Sequence, residues 1–114
     1  RVNCLAPTAH TRMTEDLMPP QVLAALAPEA VVPAMLVLAS EGAPTRAIVC
    51  AGAGGYEAAH ITLTQGVHLG LGPEVPEQLA QAWDHVCDRT DELVPENGSV
   101  QGSREIAKAM AAVR

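Results

Sequence analysis

Two short apolar runs along the chain are typical of strands that are buried on both faces of a parallel sheet. The first is Val2 to Ala6, and the second lies within residues 46–50. A continuous apolar run of this length predicts a strand that is covered from both sides. Pro7 ends the first run, because proline has no N–H for the hydrogen-bonded ladder of a central strand. We therefore expect β-strands at residues 2–6 and 46–50.

The segment between the two predicted strands carries helical patterns. Residues 14–18 and 21–26 are predicted to form short helical segments, and a longer helix is predicted over residues 28–40, bent by Pro33. The longer helix has almost no polar face, so it is expected to be buried against the sheet and against a second subunit or another helix. The order of strand, helix and strand indicates a right-handed crossover between parallel neighbours.

A glycine-rich turn and an extended segment follow the second predicted strand. Residues 51–55 read Ala-Gly-Ala-Gly-Gly, but the dinucleotide fingerprint needs a further glycine where Glu57 stands. We interpret these residues as a close-packed turn that needs a positive φ or a close backbone approach. Residues 59–71 alternate roughly between apolar and polar side chains, which predicts an extended conformation.

The last part of the chain is predicted to be helical. An amphipathic helix is expected between residues 73 and 93, with Trp83 as an anchor in the core. Ser103 is expected to cap a final helix whose apolar residues recur on one face.

Two parallel strands do not make a stable sheet by themselves, because one edge and both faces stay uncovered. The predicted fold is therefore α/β and incomplete by itself, with the last two strands and the helices of a larger doubly wound parallel sheet. We assign residues 1–72 to the end of this α/β domain and residues 73–114 to its helical C-terminal extension. The chain begins at Arg1, at the start of a strand, which indicates a fragment of a longer protein.

Charge and composition argue against several classes of function. The net charge of −6 argues against nucleic acid as a partner and provides no basic face for anionic lipid. The longest apolar run, residues 30–39, is interrupted by Pro33 and is too short to cross a membrane. Cys4, Cys50 and Cys87 lack the spacing of a zinc site, and we interpret them as buried, reduced thiols of a cytoplasmic protein.

The loop after the first predicted strand reads Ala6-Pro7, Thr8-Ala9-His10-Thr11 and Arg12-Met13-Thr14, followed by Met18-Pro19. These residues resemble the late segment of the short-chain dehydrogenase/reductase family, and the resemblance runs through Trp83. The pattern is most like the (3R)-hydroxyacyl-CoA dehydrogenase part of peroxisomal multifunctional enzymes. One departure from the family is Thr8, which replaces the glycine that usually follows the proline, and the multifunctional enzymes depart there as well.

The resemblance implies the C-terminal part of a Rossmann-type fold and an NAD(P)-dependent oxidoreductase. In the family this loop closes over the nicotinamide end of NAD or NADP, and a flap, here about residues 8–26, lies over the substrate. The implied substrate is a hydroxyl or carbonyl compound such as a 3-hydroxyacyl or 3-oxoacyl thioester. The residues carried over are Pro7, Thr8, Ala9 and Thr11 for the cofactor and Arg12, Met13 and Met18 for the substrate flap.

The serine, tyrosine and lysine that transfer protons in the family are not found in this chain. Tyr56 is followed four residues later by His60 where the family motif has lysine, so Tyr56 is not assigned a catalytic role. The resemblance therefore implies no catalytic residue here and no activity of the chain alone. It also implies a missing N-terminal half of the fold and a homodimer or larger assembly.

Two alternative interpretations compete with the dehydrogenase. One is a small non-enzymatic, helix-rich binding or assembly module, supported by the absent catalytic set and by the apolar helix predicted at residues 28–40. The other is a metal-dependent hydrolase. Its ligands would be His10, His60, His68 and His85, but their spacing does not favour a metal site.

Overall fold

The computed structural model describes residues 1–113, which form two compact units, Arg1–His60 and Ile61–Arg114. The first unit, called unit 1 below, contains β1 (Cys4–Pro7), α1 (Pro20–Ala25), a 3₁₀ helix (Pro28–Val31), α2 (Val32–Ala39), β2 (Ile48–Gly52) and β3 (Gly55–Ala59). The second, unit 2, contains α3 (Val75–Gln81), α4 (Trp83–Val86) and α5 (Ser99–Ala112). The functional division predicted at residue 72 stays a prediction.

The sheet within residues 1–113 has three strands in the order β1-β2-β3. β1 and β2 are parallel, with Leu5 opposite Val49 and Ala6 opposite Cys50. The predicted α/β class and the predicted parallel pair are thereby confirmed. β3 runs antiparallel to β2. The sequence pattern misses β3, because its residues are all exposed and contain no apolar run.

β2 and β3 are joined by a tight turn in the glycine-rich segment. Ala53 has a φ of 51° and Gly54 a φ of 82°, and two consecutive positive φ angles suit a two-residue hairpin turn. A Cβ atom on Gly52 would lie 2.8 Å from the carbonyl oxygen of Thr8, so the backbones approach closely there. Both features predicted for residues 51–55 are confirmed, and the segment is a hairpin turn.

The connection from β1 to β2 contains α1, the 3₁₀ helix and α2. The helix predicted over residues 28–40 is confirmed as a continuous helical segment that ends at Ala39, but its first four residues, 28–31, are 3₁₀ and α2 begins at Val32. Pro33 lies in the first turn of α2, where the missing N–H of proline removes no hydrogen bond. The core of unit 1 is formed by Val31, Ala34 and Ala51, with Leu5, Ala9 and Val49 packed against it.

α2 is covered on one side only. Ala34 is its buried residue, whereas Met35 is 57%, Leu36 65% and Val37 60% exposed. The predicted contact with the sheet is confirmed, because Ala34 lies in the core beside Ala51, and the predicted contact with a second subunit or another helix stays a prediction. A small sheet gives this helix a single surface to pack against, so the rest of its apolar side chains face outward.

Unit 2 has shorter helices than the sequence pattern predicts. The helix expected between residues 73 and 93 is divided at Ala82, whose φ of −90° and ψ of 6° depart from the helical values. Trp83 follows this break and is 56% exposed, so its prediction as a core anchor is wrong. α5 begins at Ser99 rather than near Ser103, because the side-chain oxygen of Asn97 accepts the N–H of Ser99 at 3.0 Å.

The segment after β3 makes one strand-like pairing within residues 61–113. Leu63 forms an antiparallel bridge with Leu93, through two N–H···O bonds of 2.8 and 3.0 Å. The extended segment predicted at residues 59–71 therefore contributes a bridge and no further strand. A bridge of this kind ties two irregular segments of unit 2 together.

The cysteines are free thiols, but their burial differs from the prediction. Cys4 and Cys87 are exposed and Cys50 is half-buried. Cys4 is exposed because it lies on β1, an edge strand within the described residues. Separately, none of the helices in residues 1–113 combines the length and the apolarity that crossing a bilayer requires.

Candidate functional site

The loop that leaves the carboxyl end of β1 is the candidate functional site. Pro7 is the last residue of β1, and the N–H of Thr8 donates to the carbonyl of Ala51 at 2.8 Å, which extends the ladder to β2 by one residue. Gly52 lies against Thr8 so closely that a Cβ would meet both the carbonyl oxygen and the Cβ of Thr8, at 2.8 and 3.0 Å. The start of the loop is therefore fixed by the backbone of β2.

Thr14 joins the two sides of the loop through its hydroxyl. The Oγ1 atom of Thr14 accepts the N–H of Thr11 at 2.9 Å, and its proton lies within reach of the carbonyl oxygens of Ala9 (3.1 Å) and Thr11 (3.2 Å). Thr14 is half-buried, and these bonds use its hydroxyl both as acceptor and as donor. We call this arrangement the Thr14 clamp.

Thr11, by contrast, keeps a hydroxyl proton that no acceptor in residues 1–113 takes. Its Oγ1 accepts the N–H of Met13 at 3.2 Å, and its carbonyl accepts the amides of Thr14 and Glu15, both at 3.0 Å. Thr11 therefore caps the turn that follows. Because the Thr11 side chain is exposed, its O–H is available to a ligand.

The rest of the predicted flap is closed by a second anchor. The N–H of His10 donates to the carbonyl of Leu26 at 2.7 Å, so the two ends of the flap meet. Leu23 lies in α1, and Leu26 follows the C-terminal end of that helix. Both side chains are buried, which holds this side of the flap against the rest of unit 1. The segment between the anchors, residues 11–18, is a series of turns at the surface.

The structure places the predicted site residues along this one loop. Pro7, Thr8 and Thr11 are exposed, and Ala9 is half-buried against the core of unit 1. Of the flap residues, Arg12 is exposed, Met13 is 87% exposed and Met18 is half-buried. The four cofactor candidates therefore lie at the end of β1 and in the irregular loop that follows it.

Sequence reasoning misses the supporting residues, Thr14 and Gly52. The spacing of Thr11 and Thr14, three residues apart, is a signal for side-chain bonding within a turn, although it does not say which hydroxyl is used internally. Gly52 belongs to a segment for which a close backbone approach is predicted, but its partner Thr8 lies too far along the chain for sequence to identify.

The other candidate groups do not add chemistry to this loop. The hydroxyl of Tyr56 donates to the carbonyl of Ala30 at 2.9 Å, which ties β3 to the 3₁₀ helix. Among residues 1–113, the histidine, cysteine, aspartate and glutamate side chains form no group of three that could hold a metal ion. Tyr56 is therefore a structural contact of unit 1.

Comparison with known proteins gives sequence relatives of two kinds. No protein-family model matches the chain. It is 34% identical over 87 residues to a protein of Mycobacterium tuberculosis named as a short-chain type dehydrogenase/reductase, covering 75% of this chain and 30% of that protein. It is 32% identical over 93 residues to the peroxisomal hydratase-dehydrogenase-epimerase of Saccharomyces cerevisiae, covering 79% of this chain and 10% of that protein. The predicted resemblance is confirmed, and the chain spans less than a third of the length of these relatives.

A solved structure shares the fold. The full-length peroxisomal multifunctional enzyme type 2 from Drosophila melanogaster matches 98% of this chain and 20% of its own, with a TM-score of 0.70 and 18% identity. At this identity the likeness shows the fold alone. It confirms that the α/β arrangement of this chain occurs as one segment of a larger protein.

Proposed function

This chain is homologous to a segment of short-chain type dehydrogenases/reductases and of peroxisomal multifunctional enzymes, and on that premise we propose that it is the nicotinamide-closing segment of an NAD(P)-dependent oxidoreductase. The substrate class is a hydroxyl or carbonyl compound, with a 3-hydroxyacyl or 3-oxoacyl thioester as the specific candidate. The observation that carries the proposal is the loop at the carboxyl end of β1, whose hydroxyl at Thr11 is exposed and has a proton to donate.

The loop fits the nicotinamide end of a dinucleotide. A carboxamide oxygen needs hydrogen-bond donors. The loop supplies three donors, namely the hydroxyls of Thr8 and Thr11 and the backbone amide of Ala9, and none of them donates to an acceptor in the described chain. Pro7 and Ala9 add small apolar surface beside them. When bound, the dinucleotide supplies or accepts a hydride. The residues of this chain hold its carboxamide and keep water away from that end of the ring.

Thr14 serves this loop as a positioning residue. Its hydroxyl is used within the loop, between Thr11 and Ala9, so it cannot also bind a ligand without breaking the clamp. The clamp fixes the backbone on which Thr11 sits, and a preorganised donor loses less freedom on binding. The nicotinamide-binding hydroxyl is therefore assigned to Thr11 and the supporting hydroxyl to Thr14.

The substrate side of the proposal rests on the surface turns at residues 11–18. Arg12 is an exposed cation that suits the anionic part of a thioester carrier, and Met13 and Met18 offer flexible apolar surface for an acyl chain. The name of the yeast relative, a hydratase-dehydrogenase-epimerase, is in keeping with a hydroxyacyl substrate. That relative is also named as peroxisomal, and the cytoplasmic location of this chain stays a prediction.

The proton-transferring groups would come from outside this chain. Within residues 1–113, β1 pairs with β2 alone, so its other edge is open to a further parallel strand. The amides of Cys4 and Thr8 point toward β2, and by alternation the amide of Leu5 points toward the open edge. We assign this edge to the remaining strands of the same fold. The formation of a homodimer or larger assembly stays a prediction.

A kinetic comparison of hydroxyl variants tests the proposal. In the intact protein, oxidation of NADH or NADPH by an acetoacetyl thioester is followed by the absorbance of the reduced nicotinamide. Thr11→Val is expected to raise the KM for the dinucleotide about threefold to tenfold, the value of one hydrogen bond, and Thr11→Ser is expected to restore it. No hydride transfer by the intact protein, or an unchanged KM in Thr11→Val, would contradict the proposal.

A further inference from the structure

Two cationic side chains of unit 2 lie one helical turn apart on α5, beside a small polar cavity. They are Arg104 and Lys108, and the spacing of four residues places them on the same face of the helix. The cavity has a volume of about 130 Å³ and is lined by Leu63, Thr64, Gln101, Arg104, Glu105 and Lys108. This volume is large enough for a small anion or a few water molecules.

The two terminal nitrogens of the Arg104 guanidinium differ in their hydrogen bonding. Its Nη2 donates to Oε1 of Gln65 at 2.8 Å, and the amide nitrogen of Gln65 donates to the carbonyl of Asp91 at 2.6 Å, so Gln65 is held in place. The Nη1 of Arg104 is buried and finds no acceptor in the described chain. A buried donor on a charged group without a partner is costly, so this nitrogen favours an acceptor from outside the described chain.

Lys108 adds a second positive charge at the same place. Its ammonium lies over Gly66, 3.6 Å from where a Cβ would be, which is an ordinary van der Waals distance. Within residues 1–113 neither Arg104 nor Lys108 forms an ion pair. Two like charges at this spacing destabilise a helix unless an anion lies between them.

The remaining polar groups of the cavity do not neutralise the positive charge of Arg104 and Lys108. The carboxylate that lines the cavity belongs to Glu105, an exposed side chain whose Oε1 accepts the amide of Gln101 at 2.9 Å. The hydroxyl of Thr64 donates to the carbonyl of Val86 at 2.6 Å. One carboxylate against two cations leaves a net positive charge in a chain whose overall charge is −6.

We propose that this cavity binds a phosphate group through the Nη1 of Arg104 and the ammonium of Lys108. A guanidinium forms directed, charge-assisted bonds to phosphate oxygens, and an ammonium adds a point charge to the same dianion. The phosphate is either free inorganic phosphate or the phosphate of a small phosphorylated molecule such as a nucleotide. The site lies in unit 2 and does not depend on the hydride-transfer proposal.

Calorimetric titration of the intact protein with inorganic phosphate, and separately with adenosine 3′,5′-bisphosphate, tests the site. Arg104→Gln combined with Lys108→Gln is expected to weaken binding about tenfold to a hundredfold, because charge-assisted bonds are lost. Lys108→Arg, which keeps the charge, is expected to retain binding. Arg89→Gln is the matched control, since Arg89 is a cation of the same unit that is already paired with Glu92.

Each outcome of the titration decides the matter. Binding of both probes, sensitive to the double variant, supports a site for free phosphate. Binding of the bisphosphate alone, weakened by the double variant and not by Arg89→Gln, supports a site for a phosphorylated small molecule. No binding of either probe, or binding that the double variant and the Arg89 control weaken equally, would overturn the proposal, as would a crystal grown with phosphate that shows only water at the Nη1 of Arg104.

Discussion

Unit 1 and unit 2 differ in the interactions that stabilise each of them internally. Within residues 1–113 every buried side chain lies in unit 1, namely Leu23, Leu26, Val31, Ala34, Ala43 and Ala51. Unit 1 also contains the whole strand ladder of the described chain. The loop that we assign to the nicotinamide therefore leaves the part of the molecule with a core.

Unit 2 has no buried side chain among residues 61–113, and side-chain hydrogen bonds link its segments. Thr64 donates to the carbonyl of Val86, Gln65 bonds both Asp91 and Arg104, and Thr62 donates to Glu92 at 3.2 Å. Each such bond contributes about 1 kcal/mol, less than a well-buried apolar side chain. Because of this difference, we expect different kinds of substitution to lower the free energy of unfolding in the two units.

Placing a charge in the core of unit 1 should have the largest effect. Ala51 is 3% exposed and faces Val31 and Ala34, so Ala51→Glu buries a carboxylate without a partner. We expect a loss of more than about 3 kcal/mol in the free energy of unfolding, measured by urea titration. Ala58→Glu on β3, at an exposed position, is the control. Equal effects of the two variants would show that unit 1 has no effective core.

The contact between Gly52 and Thr8 should come next. A Cβ at position 52 would lie 2.8 Å from the carbonyl of Thr8, so Gly52→Ala should lower the free energy of unfolding by about 1–3 kcal/mol. It should also shift the amide resonance of Thr8. Gly102→Ala in α5, where nothing lies within 4 Å, should instead stabilise the protein by up to about 1 kcal/mol. Destabilisation of similar size in both variants would contradict the close approach.

The same contrast explains what sequence could predict. The apolar runs at Val2 to Ala6 and at residues 46–50 predicted the parallel pair, although β1 is mostly exposed within the described residues. The glycines within residues 51–55 predicted the turn, because backbone positions with positive φ angles favour glycine. In unit 2, the break at Ala82 and the exposure of Trp83 leave no signal in the periodic pattern of apolar residues.

The candidate site shows the same limit. The loop and its residues Pro7, Thr8, Ala9 and Thr11 follow from the resemblance, and their binding roles stay predictions. The division of labour between Thr11 and Thr14 could not be predicted, because both are threonines in one turn. Only the loop conformation shows that the Thr14 hydroxyl accepts the N–H of Thr11 and donates to the carbonyl of Ala9.

Removing a polar link of unit 2 should have a moderate and local effect. Gln65→Ala deletes the bonds to Asp91 and Arg104, and we expect a loss of about 1–2 kcal/mol. Trp83, the only tryptophan of the chain, reports on unit 2, and Tyr56, the only tyrosine, reports on unit 1. The fluorescence transition of Trp83 should therefore move to lower urea while that of Tyr56 stays. Movement of both transitions together would show that the units unfold as one.

The smallest effect should come from the acidic side chains of unit 2. The pKa of Glu92 lies below its ordinary value because Arg89 donates hydrogen bonds of 2.7 and 2.9 Å to its carboxylate, with Thr62 adding another. The pKa of Asp88 is lowered by the amide and hydroxyl of Thr90. A pKa lowered on folding adds stability that is fully present above the unfolded value and is lost as the pH falls through the folded value.

Carboxyl NMR titration checks these directions. The midpoints of Glu92 and Asp88 should lie below the ordinary values of 4.5 and 3.8. Arg89→Gln should raise the midpoint of Glu92 and leave that of Asp88 unchanged. A midpoint of Glu92 that does not respond to this substitution would show that the ion pair is absent in solution. Because both groups are at the surface, any loss of stability in acid should be slight and confined to unit 2.

The central claim is that the loop after β1 holds the nicotinamide end of the cofactor. Its most direct test is an NMR measurement of NOEs between the nicotinamide ring protons of NAD(P) and the threonine methyl groups of the intact protein. We expect NOEs to the methyl groups of Thr8 and Thr11, and none to Thr62, Thr64 or Thr90 of unit 2. Bound dinucleotide whose ring protons show no NOE to Thr8 or Thr11 would contradict the assignment.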